Sequence, residues 1–227
     1  MYDRGLQVKF LAACVNGEVE SVKSMLKHSP GQIDLNYQER NTTPLIASVS
    51  ASNLEILKAL IEAGADINFL NREKVSPLYV AISMGRVEIA NELLDKKEIE
   101  INNLDKYGNS LLIIASGATY EGATEIVKKL IEKGANIDQV NNSKESPLDV
   151  AKYVRNSATV ELLSDQLTTS SPASTSLKQK LVHSLGVMAR AVGVRKSRIS
   201  PASSTVMNPD FGGDSVVNSI EKGGDSR

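Results

Sequence analysis

The sequence predicts an all-α solenoid of helix-turn-helix units joined by β-hairpin loops, with a mostly disordered C-terminal tail. Three observations carry that prediction. The phrase "IEAGADIN" at residues 61–68 returns as "IEKGANID" at residues 131–138. Around and between these phrases a unit of similar length recurs five times. Aromatic residues are 4% of the 227-residue chain, without Trp, while 41% of residues are hydrophobic. Helical arrays packed through Leu, Ile, Val and Ala suit that composition better than aromatic-anchored β-sandwiches do. A fixed internal period has to be read before anything else, because it decides the fold.

The copies follow in order. The first, diverged, is "VKFLAACVNGEVESVKSMLKHSPGQIDLN" from Val8 to Asn36. "TPLIASVSASNLEILKALIEAGADIN" starts at Thr43, "SPLYVAISMGRVEIANELLDKKEIEIN" at Ser76, "SLLIIASGATYEGATEIVKKLIEKGANID" at Ser110 and "SPLDVAKYVRNSATVELL" at Ser146. These starts are separated by 35, 33, 34 and 36 residues. Taken with their hairpins, the repeats span about 5–36, 37–70, 71–104, 105–140 and 141–165, so the array occupies residues 1–165.

Within each unit the punctuation is that of two short helices. Thr43, Ser76 and Ser146 can cap a new helix through a hydroxyl, and Pro44, Pro77 and Pro147 follow at the first helical position, where no N–H is needed. A polar turn leads to a second helix, in which Leu54, Leu57, Leu60 and Ile61 recur at three- and four-residue spacing as an apolar stripe. Gly64 and Gly134 stand where a helix ends with positive φ. In the third copy Lys97 replaces that glycine, and in the fourth Leu111 replaces the proline while "GATYEGAT" lengthens the turn between helices by three residues. Both irregular loops are candidate binding features.

This pattern resembles the ankyrin repeat, whose unit is about 33 residues with a T-P-L-H-x-A opening. The resemblance covers residues 5–165. It implies a non-catalytic protein–protein interaction scaffold that takes a protein partner on a concave face built from hairpin tips and first helices. Carried onto this sequence, the partner-binding positions are Glu39, Arg40, Arg72, Glu73, Lys106, Tyr107 and Asn142 at the tips, with Met84 and Tyr153 on first helices. Arg72 and Tyr107 are the expected hot spots, since Arg and Tyr dominate interface energetics. The family's opening histidine is replaced by Leu11, Ile46, Tyr79, Ile113 and Asp149. That substitution implies weaker polar bonding between repeats.

Beyond the array the composition changes. Residues 166–176 read as a linker and 199–227 as a disordered tail, both rich in Ser, Thr, Pro and Gly. Between them, 177–198 is basic and amphipathic: Leu177, Leu181, Leu185 and Met188 align on one helical face, with six Lys and Arg residues and no acidic one. Docking on the solenoid end, an anionic membrane surface and a protein groove all suit such a segment. The alternative to the scaffold reading is therefore a peripheral membrane adaptor anchored by 177–198, including a protein that an intracellular bacterium directs at its host.

Chemistry has little to stand on. The two histidines, His28 and His183, are far apart in the sequence, and no H-E-x-x-H, G-x-S-x-G or phosphate-loop motif is present. The lone Cys14 lies in an apolar stretch and reads as a small core residue. No catalytic residue, metal ligand or cofactor is therefore expected, and a mildly acidic array does not suit nucleic acid. A charged N-terminus and the lack of a long apolar run point to a cytoplasmic protein, in the host cell if it is a secreted bacterial effector.

Overall fold

The first helix of every repeat begins where the sequence supplies a side-chain cap. The computed structural model describes residues 2–169 and places ten helices among them: α1 (Arg4–Asn16), α2 (Val19–His28), α3 (Pro44–Ser50), α4 (Leu54–Glu62), α5 (Pro77–Ser83), α6 (Val87–Leu94), α7 (Leu111–Ser116), α8 (Ala123–Glu132), α9 (Pro147–Tyr153) and α10 (Ser157–Thr169). The last of these runs past Asp165. The chain divides into two units, residues 1–180 and 181–227, and all the described helices belong to the first. The rest of the linker, the basic segment 177–198 and the tail 199–227 lie outside the described residues.

Hydroxyl caps start four of the five first helices. Thr43, Ser76, Ser110 and Ser146 each accept the N–H three residues on, at 3.1–3.2 Å. Asp149 returns the bond to Ser146, completing a capping box. A missing proline at Leu111 therefore leaves α7 with an intact start. First helices stack on first helices and second on second, α1·α3·α5·α7·α9 and α2·α4·α6·α8·α10, as a linear array requires.

The core lies between the two rows. Leu45, Ile46, Ile56, Leu57, Leu60, Leu78, Ile82, Ile89, Leu93, Leu94 and Leu112 are fully buried, and each such side chain contributes about 1.5–3 kcal/mol. In α4 the buried positions are Ile56, Leu57 and Leu60, whereas Leu54 and Ile61 are half-buried. The stripe expected through Leu54 and Ile61 is thus rotated toward Ile56, because α4 packs on its own repeat and on both neighbours.

The hairpins are reduced to isolated antiparallel bridges, Glu39↔Thr42 and Leu104↔Ser110. What organises them is side chains. In three tips one oxygen accepts two backbone N–H groups: Asn71 from Glu73 and Val75, Asp105 from Tyr107 and Asn109, Asn141 from Ser143 and Glu145, all at 2.8–3.0 Å.

A second ladder ties the closing loops together. Asn68 donates to the Glu98 carbonyl (2.8 Å) and accepts from the Glu100 N–H (2.9 Å). Asn102 repeats this with Gly134 and Asn136 (3.2 and 2.9 Å), and Asn36 accepts from Asp66. Gln7, 2% exposed, starts the ladder from α1 by gripping Gln32 and Asp34 in the same two-handed way, at 2.8 Å each. The asparagine rungs satisfy backbone groups of the next repeat, and the Gln7 rung those of its own closing loop.

Candidate interaction face

The predicted tip residues form part of one continuous row. The carboxylate of Glu73 in the third copy pairs with Lys106 in the fourth. The Lys106 ammonium stands 5.0 Å from the centroid of the Tyr107 ring, within cation–π range. The Tyr107 carbonyl accepts the N–H of Asn142 (2.9 Å), whose side chain donates to the Lys106 carbonyl (3.4 Å). Three tips are thereby joined, and Tyr107 remains 49% exposed on a fixed backbone. The hydrogen bond to Glu73 also raises the Lys106 pKa.

The other predicted positions are placed differently. Glu39, in the second copy, accepts from the Tyr37 hydroxyl and lies 3.7 Å from Arg4; its hydrogen bond raises the Tyr37 pKa. Arg40 is exposed at φ 45. Arg72 is exposed at the tip before Glu73. Met84 is half-buried at the end of α5, and Tyr153 ends α9 at 65% exposure. No bond links either of these two to the tip row.

Two positions escaped the sequence reading. Leu104 and Val140 are exposed at 36% and 45%, and each precedes the Asx residue that organises its tip. Leu70 has the same place before Asn71, ahead of the third tip. Aligning tips rather than helices exposes this apolar register.

The Tyr79 hydroxyl donates to Asp105 in the next tip (2.9 Å). The position of the absent histidine therefore does supply a polar bond between repeats in this copy. Burial, followed by the Asp105 charge, holds the Tyr79 phenol well above its ordinary range.

The lengthened turn of the fourth copy has a structural task. In other copies the residue that starts the second helix donates to the preceding repeat: Asn53 to the Gly17 carbonyl (3.5 Å), Arg86 to Ser50 (3.3 Å), Asn156 to Ala118 (3.5 Å). In the fourth copy Gly122 stands at that place and has no side chain. Tyr120, from the insertion, donates to the Ile82 carbonyl instead (2.8 Å) and lays its ring against Gly85. Burial pushes its phenol up to about 12.

Elsewhere the chemistry is quiet. Cys14 is fully buried and its thiol is pushed up to about 12 by burial. His28 Nδ1 lies 2.8 Å from the Ser24 carbonyl at the end of α2. Among the described residues no group of three His, Cys, Asp or Glu could hold a metal, and no helix is long and apolar enough to cross a membrane.

Helix pairs stacked in a line, with side-chain-braced tips along one edge, define a helical-repeat protein that presents an extended surface. The chain belongs to the ankyrin-repeat family. A profile of ankyrin repeats (3 copies) matches residues 10–105 and a single ankyrin-repeat profile matches residues 107–142, together more than half of the chain. Ankyrin repeats are generally a non-catalytic fold for protein–protein interaction.

The relatives are varied. Human "Transient receptor potential cation channel subfamily A member 1" is 25% identical over 66% of this chain and 13% of its own length. "Alpha-latrocrustotoxin-Lt1a" of Latrodectus tredecimguttatus is 27% identical over 65% of the chain and 10% of its own. "Probable 26S proteasome regulatory subunit p28" of Saccharomyces cerevisiae is 32% identical over 63% of the chain and 61% of its own. The chain thus spans only about a tenth of the first two proteins.

Proposed function

We propose that this protein is a non-catalytic recognition scaffold that binds a protein partner along its hairpin tips. The observation that supports this reading is the braced row Glu73–Lys106–Tyr107–Asn142, which keeps a half-exposed tyrosine ordered before any partner arrives. Preorganised aromatic and Arg side chains lose little entropy on binding. Arg72, Glu39 and Arg40 extend the same edge, and Met84 and Tyr153 offer contacts on first helices. In this reading the protein works in the cytoplasm.

The test compares proteins cross-linked to the full-length chain and to the Arg72→Ala/Tyr107→Ala double variant, at matched thermal stability. Partners held by the tips are lost from the variant. An unchanged set of partners, including any whose attachment follows 177–198 alone, would sink the tip reading. The second case favours the membrane or groove readings of that segment, which liposome sedimentation of the full chain separates by its dependence on anionic lipid.

A further inference from the structure

Resting on that reading, we infer that the tip row takes an acidic, extended peptide segment with an aliphatic or aromatic side chain at its centre. The inference comes from which charges in the row are already matched. Every acid there is engaged: Glu39 by Tyr37 and Arg4, Glu73 by Lys106, Asp105 by Tyr79, Asn109 and two backbone N–H groups, and Glu145 by Asn141. Three cations are not. Arg72, Lys74 and Lys144 have no carboxylate within ion-pair distance among the described residues.

Their placement is regular. Lys74 and Lys144 occupy the same place in the third and fifth tips, each held at positive φ (59 and 64). In the tip between them that place is Gly108, where an added Cβ would come within 2.7 Å of the Asn142 side-chain oxygen. The row therefore reads Lys, no side chain, Lys, the middle place being taken by the Asn142 side chain, with Leu104, Tyr107 and Val140 exposed along it. An apolar side chain meets these three exposed residues, and a carboxylate pairs with the lysine at either end. Two helix-packing steps of about 10 Å separate the lysines, a span that an extended chain covers in about six residues. Unmatched cations at the rim speed the approach of an acidic segment and set its register.

A displayed library of random peptides, panned on the full-length chain, tests this. The enriched peptides are expected to carry acidic residues on both sides of an aliphatic or aromatic one. A synthetic consensus peptide, followed by fluorescence anisotropy, should lose about tenfold in affinity on Lys74→Glu/Lys144→Glu, and similarly on Tyr107→Ala, with binding weakening as salt rises. If the charge reversal perturbs folding, Lys74→Gln/Lys144→Gln serves in its place with a smaller expected loss. Enriched peptides that need Tyr107 but show no acidic bias overturn the inference and leave the proposed function standing. Peptides indifferent to Tyr107 overturn both. A library without an enriched binder counts against the inference, as does a dimer of the chain that Tyr107→Ala dissociates, since the row would then belong to a second copy.

Discussion

Asp105 occupies the place that asparagine holds in the tips on either side, and that difference fixes the direction of a chain of hydrogen bonds. Its second oxygen accepts from Tyr79 and from the Asn109 amide (3.0 Å), which leaves the Asn109 oxygen free to accept from Asn141 (3.0 Å). An amide at position 105 would turn a donor toward those donors. Asp105→Asn is therefore expected to lower stability by about 1–2 kcal/mol although neighbouring copies use Asn, and Tyr79→Phe by about 1–2 kcal/mol. Urea unfolding of the two variants and their combination should give a double loss smaller than the sum. Tyr120→Phe should cost about 1 kcal/mol by the same mechanism; an unaltered midpoint would remove the structural role given to the inserted turn.

Burial of Cys14 and Tyr120 also contributes, with that of Tyr79, to the alkaline limit of the fold. Burial pushes the Cys14 thiol and the Tyr120 phenol up to about 12, from the ordinary 9 and 10. A raised folded value means that the stabilisation is complete below the unfolded value and is lost as pH climbs toward the folded one. The urea midpoint should hold steady up to about pH 9 and then fall. Cys14→Ala should delay that fall toward pH 10, whatever it does to the midpoint at neutral pH.

At the scale of elements, loop closure separates what was legible from what was not. Gly64 and Gly134 adopt φ 93 and 84, with nothing within 4 Å of an added Cβ, and the residue after each donates back to the carbonyl five residues earlier at 2.9 Å. Those turns could be read directly from sequence, since only glycine takes that conformation cheaply. Gly64→Ala should cost about 1–2 kcal/mol for purely conformational reasons. In the third copy α6 ends at Leu94, Lys96 donates to the Leu93 carbonyl, and Lys97 is not among the residues with positive φ. The loop found another route, so Lys97→Gly should bring no gain in thermal stability. The starts of α3, α5, α7 and α9 were equally plain, because Ser, Thr and Pro signal locally. The joined tips and the task of Tyr120 were not, because they depend on side chains some 35 residues apart that meet only once repeats stack. For the same reason the apolar register of Leu104 and Val140 emerges only when tips are compared across copies.

At the scale of the whole molecule, each repeat leans only on its neighbours, so stability is distributed along a line. The fully buried large side chains, apart from Phe10 in the first copy and Leu163 in the fifth, belong to the second, third and fourth copies. Amide hydrogen exchange should accordingly be slowest in α3 to α8 and fastest in α2 and α10, which among the described helices have a neighbouring repeat on one side only. Uniform protection from α1 to α10 would mean that the array opens as one cooperative unit.

The ladder of closing-loop asparagines carries one more consequence. Asn36, Asn68 and Asn102 each face a following loop, but the same register next holds Asp138, which can accept and cannot donate. Asparagine here acts as a word for "continue" and aspartate as a full stop. Anyone lengthening this protein by grafting a further unit after Thr169 would have to edit that punctuation first. Asp138→Asn should raise the thermal stability of such an extended chain and leave the natural one almost unmoved.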